Sequence, residues 1–160
     1  MGVKKNDAGG KRPTIALLET AQAAYVATVG GDGYPDIRAM FNLRRVGQFP
    51  GLAEVFEGHD DNHVLYFTTN SSARKLGQIL NNPRAAVYYS LPSDFTGLSL
   101  VGDLEVVVDK EEKSRIWQKG WELYYPGGVE DPDHTVLRML PKRGIFYHQL
   151  KRELLEFPPK

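Results

Sequence analysis

The order of apolar and polar positions along this chain predicts a protein built mainly from β-strands, with a few helices beside them. Short segments that alternate with a period of two residues, or that are rich in β-branched and aromatic residues, recur between glycine, proline and aspartate. These segments are 25–29, 34–45, 64–69, 84–90, 96–109, 135–139 and 144–148. Helical spacing of apolar residues occurs at 14–23, 73–80 and 110–125. Tight turns between the strands favour antiparallel pairing around a small barrel.

The strand at 34–45 follows a Gly-Gly-Asp-Gly turn and has two different faces. The first face is apolar and consists of Ile37, Ala39, Phe41 and Leu43. The second face is more polar and consists of Arg38, Met40, Asn42 and Arg44. We expect the apolar face to join the core and the other face to form a surface or a site.

The transition from strand to helix near residue 70 brings two adjacent cations into the first helical turn. The apolar stripe of this helix turns toward a core, so Arg74 and Lys75 face outward. Unpaired backbone N–H groups and the positive end of the helix dipole attract anions there, and two cations add to the attraction. An Arg-Lys pair in such a turn is more often a solvated surface. A bound phosphate is the hypothesis that explains why cations oppose the dipole here.

Composition narrows the possible classes of function. The 160 residues suffice for one sizeable core, so we expect a single domain at 13–160 after a flexible tail at 1–12. The 20 basic and 20 acidic residues cancel, which gives no global attraction to nucleic acid or to an anionic membrane. No segment is long and apolar enough to span a membrane. The absence of cysteine makes a cytoplasmic location the simpler interpretation.

Four segments occur in a characteristic order. Residues 27–40 read ATVGGDGYPDIRAM, residues 64–75 read VLYFTTNSSARK with Asn82-Pro83 after them, a strand containing Gly102 follows, and residues 131–141 read DPDHTVLRMLP with IFY at 145–147. Together they resemble the pyridoxamine-phosphate oxidase superfamily of flavin-binding split barrels, and the last segment most resembles its general stress protein 26 branch. The resemblance implies a mainly β fold with flanking helices, a six-stranded antiparallel split barrel. It also implies a homodimer with flavin mononucleotide (FMN) bound across the dimer interface.

The resemblance assigns cofactor-binding roles to the positions that match these segments. They are Arg38 and Met40 beside the flavin and its ribityl phosphate, Thr68 and Thr69 near the ribityl chain, Arg74 and Lys75 on the phosphate, and Tyr147 near the isoalloxazine ring. Ala73 departs from the pattern, because relatives commonly have a serine there whose hydroxyl contacts the phosphate. Ser71 or Ser72 is the candidate replacement.

Other departures bear on the reaction. Leu43 stands where true pyridoxamine-phosphate oxidases have a substrate-binding lysine, and their Trp-Gln-Gly and arginine-rich C-terminal signature is absent. We therefore expect an FMN-dependent oxidoreductase of the general stress protein type with a small-molecule redox substrate, not a vitamer oxidase, and no residue is assigned as catalytic. One alternative is a non-catalytic flavin-binding or sensor module. Another is a protein using deazaflavin or haem, with His134 or His148 as axial-ligand candidates.

For two further clusters, a role in the structure is preferred to a role in binding. Residues 59–63 read His-Asp-Asp-Asn-His, which carries metal-ligand types but has no distant partner, so a polar turn is preferred to a metal site. Four aromatic residues in the third helical segment predict a hydrophobic seam, with a dimer surface or a wall beside the flavin as the alternative. They are Trp117, Trp121, Tyr124 and Tyr125.

Overall fold

The computed structural model describes residues 12–57 and 63–157, and within these ranges it contains eight strands and four short α-helices. The strands are β1 Ala23–Val29, β2 Pro35–Phe41, β3 Leu65–Asn70, β4 Arg84–Leu91, β5 Thr96–Val106, β6 His134–Met139, β7 Arg143–His148 and β8 Lys151–Glu156. The helices are α1 Pro13–Thr20, α2 Ala53–Glu57, α3 Arg74–Asn81 and α4 Lys110–Ile116. The predicted tail, apart from Arg12, and the cluster at 59–63, apart from His63, lie outside the described residues.

The strands pair antiparallel in the order β2-β1-β4-β5-β6-β3. Strand β5 is shared between two parts of the sheet, because residues 96–101 pair with β7 whereas residues 104–106 pair with β6. Strand β7 also pairs with β8. This architecture confirms the expected split barrel with flanking helices. Strand β8 was not predicted, because only Leu155 of its six residues is buried and the sequence shows no alternation there.

Two apolar cores hold the strands and helices together. The first lies under β1, β3, β4, β5 and β6, and its most buried side chains are Leu18, Val26, Val87, Leu98, Leu100 and Met139. The second draws on α2, α4 and the ends of β3 and β6, and includes Leu43, Leu52, Phe56, Val64, Ile116 and Val136. Helix α3 buries Ile79 in the first core but leaves Leu80 69% exposed, so its apolar stripe is narrower than predicted.

Strand β2 presents its faces the other way round from the sequence-based expectation. Ile37 is 67% exposed and Phe41 is 51% exposed, whereas Met40 packs against the first core. Beyond the strand, Asn42 is buried because its amide donates hydrogen bonds to the carbonyl oxygens of Leu18 and Ala21, at 2.7 and 2.9 Å. The polar residues point inward because backbone carbonyl groups satisfy their donors, which removes the usual penalty for burial.

The exposed side of the sheet, here called the outer face, is rich in apolar side chains. One register row crosses six strands and consists of Ala39, Tyr25, Tyr88, Ser99, Ile145 and Leu154. Tyr25 and Tyr88 are 42% and 44% exposed, and Leu154 is 66% exposed. A contiguous apolar patch of this kind is typical of a protein–protein interface.

The α-helix before the aromatic residues is shorter than the range 110–125 predicted from their spacing. Helix α4 ends at Ile116, and a separate 3₁₀ turn covers Trp121–Leu123. Helix α4 ends because the ψ of Trp117, 138°, is not helical, and Gly120, whose φ of 99° lies in the left-handed region, caps the start of the 3₁₀ turn. No helix in the described part of the chain is long and apolar enough to cross a membrane.

Candidate functional site

A cleft lies between β2 and β3, the two strands at the ends of the main sheet order. Its volume is about 510 Å³, which falls within the usual range for small-molecule and cofactor sites. The residues that line it are Gln22, Ala23, Ala39, Met40, Phe41, Thr68, Thr69, Asn70, Lys75, Trp121, Tyr124 and Tyr125. Four of the seven cofactor-binding residues expected from the sequence, Met40, Thr68, Thr69 and Lys75, are in this set.

One end of the cleft is positively charged. Lys75 lines the cleft from the first turn of α3, and the side chain of Arg74 beside it is 85% exposed. No side chain caps this helix, because Ala73 occupies the cap position, whereas Asp109 caps α4 by accepting from the N–H of Glu112. The first turn of α3 therefore offers backbone donors and two cations to an anion.

The cations in this region repel one another. Burial lowers the pKa of Lys75, and the positive charge of Arg38 lowers it further. Burial likewise lowers the pKa of Arg38, with Arg74 adding to the effect and Asp36 opposing it. Within residues 12–57 and 63–157, Asp36 is the one carboxylate in ion-pair distance of these three cations, at 3.9 Å from Arg74. Three cations and one carboxylate leave a surplus of two positive charges. This surplus is equal in magnitude and opposite in sign to the charge of a phosphate dianion.

Both serines proposed as substitutes for Ala73 already make other contacts. The hydroxyl of Ser71 is hydrogen-bonded to that of Thr135 at 2.6 Å. The backbone N–H of Ser72 donates to Asp133 at 2.9 Å, and hydrogen bonding to Asn70 first and then to Ser72 lowers the pKa of that carboxyl. These contacts hold the loop before α3 in shape, so the cations and backbone N–H groups are the better candidates to bind an anion here.

The middle of the cleft contains a buried hydroxyl without a partner. Thr69 is 4% exposed, and its Oγ1 has no hydrogen-bond partner among the described residues. Leaving a buried hydroxyl unpaired costs about 1–3 kcal/mol, a penalty that a polar ligand in the cleft would offset. Thr68 beside it is half-buried and also lines the cleft.

Aromatic side chains form the other wall of the cleft. Phe41, Trp121, Tyr124 and Tyr125 contribute rings there, and Lys75 is the one charged residue among the described lining residues. Trp121 and Tyr125 are buried while Tyr124 is 60% exposed. The sequence predicts Trp121, Tyr124 and Tyr125 as part of a hydrophobic seam, with a wall beside the flavin as one alternative, and it places Phe41 on the core face of its strand. The cleft thus fits a ligand with a phosphate at one end and a planar apolar ring at the other.

Behind this wall, His134 is enclosed by aromatic rings. Its ring centroid lies 4.7 Å from that of Tyr125 and 5.1 Å from that of Trp117. Nδ1 lies 3.0 Å from the carbonyl oxygen of Val129, while Nε2 is buried without a described partner. Burial is the main cause of the lowered pKa of His134. His134 does not line the cleft, so this nitrogen is not placed to bind a ligand there.

Tyr147 is separated from the other expected site residues. It lies on β7 opposite Gly97 and Arg152, is 38% exposed, and does not line the cleft. His148, next to it, is exposed, and its Nδ1 is 2.6 Å from the hydroxyl of Thr96. Arg38 and Arg74 also lie outside the cleft lining but adjoin its charged end. Residues that the sequence did not single out, such as Gln22 and Asn70, line the cleft because of the fold alone.

Comparison with known proteins agrees with this architecture. Residues 14–148 match the family model described as pyridoxamine 5'-phosphate oxidase. A structure from Clostridium acetobutylicum, described as related to general stress protein 26 of B. subtilis (pyridoxinephosphate oxidase family), is 31% identical with a TM-score of 0.70, over 89% of this chain and 91% of that one. General stress protein 26 from Bacillus anthracis is 20% identical with a TM-score of 0.66, over 89% and 94% of the two chains.

A third similar structure is a heme binding protein from Mycobacterium smegmatis, which is 14% identical with a TM-score of 0.62, over 92% of this chain and 60% of that one. A sequence search of curated proteins gives no match. The family match covers most of the chain and includes every residue of the cleft. The chain therefore belongs to the pyridoxamine 5'-phosphate oxidase family, in its general stress protein 26 branch.

Proposed function

We propose that this protein is an FMN-binding flavoprotein of the general stress protein type, with a small-molecule redox substrate. The observation that carries the proposal is the surplus of two positive charges formed by Arg38, Arg74, Lys75 and Asp36 at one end of a cleft walled by aromatic rings. A phosphate monoester carries between about 1.5 and 2 negative charges at neutral pH, so FMN matches this surplus. Riboflavin, which lacks the phosphate, does not match it.

The expected cofactor-binding residues in and beside the cleft have defined tasks in this proposal. Lys75 and Arg74 bind the phosphate, and Arg38 supplies the third cation. Thr68 and Thr69 bind the polar ribityl chain, which gives the unpartnered hydroxyl of Thr69 a hydrogen-bond acceptor. Met40 and the aromatic wall exclude water from the ring. When bound, FMN supplies hydride and electron transfer, for which the protein provides binding and orientation.

Oxidation of a phosphorylated vitamer is not part of the proposal. Leu43, which stands where that activity requires a lysine, is 2% exposed and belongs to the second core. The end of the described chain forms β8 beside β7. The lining of the cleft has no charged residue in the described part of the chain apart from Lys75. These features favour an uncharged redox substrate over a phosphorylated one.

The proposal includes a homodimer formed through the outer face. Tyr147 lies on this face and away from its own cleft, so it reaches a flavin ring only in a second copy of the chain. The apolar row through Tyr25, Tyr88 and Leu154 supports this arrangement, because exposed apolar surface of that extent is stabilised by burial against a partner. A twofold axis would bury the same surface on both copies.

Mixing two variants tests whether Tyr147 acts from the partner. Lys75→Ala and Tyr147→Ala should each weaken FMN binding when purified alone. Random reassortment of the two into mixed dimers should restore strong binding to about a quarter of all sites, because half of the dimers then contain one intact site. No recovery after verified subunit exchange would show that Tyr147 and Lys75 do not meet across an interface.

The visible spectrum of the purified protein tests the cofactor itself. The wild-type protein should show flavin absorbance, alone or after addition of FMN. Arg74→Ala with Lys75→Ala should lose two charge-assisted hydrogen bonds, about 3–6 kcal/mol or 10²- to 10⁴-fold in affinity. Riboflavin affinity should change little. The matched control is Arg115→Ala with Lys119→Ala, which removes two cations from α4 and the loop after it. An equal loss of FMN affinity in both double variants would overturn the assignment.

A non-catalytic flavin-binding or sensor module is the second candidate. It is favoured by the cleft lining, where the described residues include no carboxylate and no histidine to donate or accept a proton. Stopped-flow reduction of the bound flavin by NADH or NADPH distinguishes the two candidates. Reduction faster than that of free FMN supports the oxidoreductase, and reduction no faster than that of free FMN supports the module.

Haem and deazaflavin are weaker alternatives. One structural relative is described as a heme binding protein, but the candidate axial ligands here are poorly disposed, because Nε2 of His134 is buried and His148 is on β7 away from the cleft. The deazaflavin alternative has no observation that favours it over FMN. The absorbance spectrum separates the three chromophores in one measurement.

A further inference from the structure

We infer that Thr28, Gln78 and Asp36 are positioning residues that hold Arg38 and Arg74 in the phosphate-binding arrangement through one continuous chain of polar contacts. The inference rests on the proposed function, because it concerns how the same phosphate end is built. None of the three was singled out from the sequence, since Thr28 and Asp36 lie within ordinary strand segments and Gln78 within a helix.

The chain of contacts runs from one arginine to the other. The Nη1 of Arg38 donates to the hydroxyl of Thr28 at 2.7 Å, and that hydroxyl donates to Oε1 of Gln78 at 2.6 Å. The Nε2 of Gln78 donates to Oδ2 of Asp36 at 2.6 Å. The same carboxylate oxygen lies 3.9 Å from Nη2 of Arg74. Arg38 also donates to the carbonyl oxygen of Val26 at 3.2 Å.

The direction of every hydrogen bond in this chain is fixed by its two ends. A guanidinium group can only donate, so the hydroxyl of Thr28 must accept from Arg38 and has its one proton left for Gln78. An ionised carboxylate can only accept, so the amide nitrogen of Gln78 must face Asp36. The amide oxygen then faces Thr28, which completes the pattern. A chain with one allowed direction holds its members in one arrangement.

Burial makes the chain hard to rearrange. Thr28 is 1% exposed and Gln78 is 9% exposed, so water is not available to replace a broken contact. The members come from three elements, because Thr28 is on β1, Asp36 and Arg38 are on β2, and Gln78 is on α3. Gln78 lies one helical turn after Arg74, which brings both to the same side of α3. The contacts therefore fix the helix that carries two phosphate-binding cations against the strand that carries the third.

The chain also leaves Arg38 without a hydrogen bond to a carboxylate in the described part of the molecule. Its hydrogen-bond partners are a neutral hydroxyl and a backbone carbonyl, whereas Asp36 is hydrogen-bonded to Gln78 and acts on Arg38 through its charge alone. A carboxylate bonded directly to Arg38 would compete with a phosphate for the same guanidinium. Positioning through a neutral hydroxyl orients the cation and leaves its charge for the ligand.

Comparison of FMN with riboflavin tests the inference, because only FMN has the phosphate. Thr28→Val keeps the shape of the side chain and removes the hydroxyl. We expect it to weaken FMN binding by about tenfold or more, with riboflavin affinity changed less than about threefold. Thr28→Ser retains the hydroxyl and should restore FMN affinity. Both ligands can be titrated by quenching of flavin fluorescence, with thermal unfolding of each variant recorded beside them.

Asp36→Asn gives a second reading that survives if Thr28→Val fails to fold. Asp36 is partly exposed, and an asparagine oxygen still accepts from Gln78 while its charge is gone. The ion pair with Arg74 is lost, so FMN affinity should fall although the surplus positive charge rises, and riboflavin affinity should change little. Equal or higher FMN affinity with Asp36→Asn would overturn the positioning of Arg74 by Asp36, and equal losses of FMN and riboflavin with Thr28→Val would overturn the inference as a whole.

The failure of this inference is distinguishable from failure of the proposed function. If Arg74→Ala with Lys75→Ala abolishes FMN binding while Thr28→Val leaves the ratio of FMN to riboflavin affinity unchanged, the site stands and the positioning role is wrong. If the double variant also binds FMN normally, the proposed function itself is wrong.

Discussion

Tyr88 and Gly97 are in unusually close contact on the outer face. A Cβ atom built on Gly97 would overlap the phenol oxygen of Tyr88 and lie 2.8 Å from Cζ. The ring of Tyr88 can therefore lie across β5 only because residue 97 has no side chain. Tyr147 is the register partner of Gly97 on β7, so this contact shapes the surface beside the aromatic residue assigned to the partner's flavin.

Gly97→Ala should weaken the proposed homodimer. The added methyl group must displace the Tyr88 ring from the sheet, because real Cβ contacts at such distances do not occur. The ring is 44% exposed, so its displacement alters the outer face more than the core. We expect a dimer dissociation constant raised by about tenfold or more, measured by sedimentation equilibrium. Gly31→Ala, where nothing lies within 4 Å of the new Cβ, is the control, and unchanged dimerisation in Gly97→Ala would argue against this interface.

Thr69→Val should lower the affinity for FMN without lowering the stability of the ligand-free protein. The hydroxyl of Thr69 is buried without a described partner, so its removal should leave the free energy of unfolding of the ligand-free protein unchanged or raised by about 1 kcal/mol. If that hydroxyl bonds FMN, affinity should fall by about tenfold. Chemical denaturation and flavin titration measure the two effects. Thr135→Val, which breaks the bond to Ser71 outside the cleft lining, should instead lower stability.

The sequence was most informative where local physical chemistry decides the structure. Local patterns predicted seven of the strands, by alternation where one face is buried, as in β1, and by β-branched and aromatic residues in β3, which is buried on both faces. The cationic first turn of α3 was also evident, because Arg74 and Lys75 are adjacent in the chain. The sequence indicated only that Lys75 faces outward, and its place in a cleft with Thr68 and Thr69 came from the fold.

The sequence was least informative where the answer depends on distant parts of the molecule. Alternation does not say which face of β2 is buried, and the carbonyl oxygens of Leu18 and Ala21 that allow Asn42 to be buried come from α1 and the residue after it. In the proposed homodimer a second copy of the chain covers the apolar face of β2, which no single-chain pattern reveals. The contacts of Gln78 with Thr28 and Asp36 likewise join residues more than 40 positions apart.

The affinity for FMN should fall as the pH becomes alkaline. The fall should begin at a lower pH than it would with a lysine of ordinary pKa. Burial and Arg38 lower the pKa of Lys75, so the free protein loses this proton early and bound phosphate must restore it. Affinity should decline as the pH rises through the pKa of free Lys75, with proton uptake on binding detectable by calorimetry in two buffers. In Lys75→Arg the guanidinium stays charged, so this alkaline decline should disappear. An identical decline in both proteins would assign it to another group.

His134 should make the protein less stable in mild acid. Its pKa is lowered in the folded protein, mainly by burial and also by Lys113, while Val129, Asp131 and Glu130 oppose the shift. The unfolded chain therefore binds more protons below pH 6.5, and the free energy of unfolding falls as the pH drops from 6.5 through the folded pKa. One proton limits this slope to about 1.4 kcal/mol per pH unit.

His134→Phe tests this assignment within the same aromatic surroundings. The variant lacks the contact with Val129, so it should be less stable at pH 7.5 by about 1 kcal/mol. Phenylalanine does not titrate. The free energy of unfolding should therefore fall less between pH 7 and 5 than it does in the wild type, and the slopes should differ by at most about 1.4 kcal/mol per pH unit. Denaturant unfolding at several pH values measures both effects, and His148→Gln on exposed β7 is the control for replacing a histidine at all. Parallel pH profiles for the wild type and His134→Phe would show that another group, such as a carboxylate, causes the acid sensitivity.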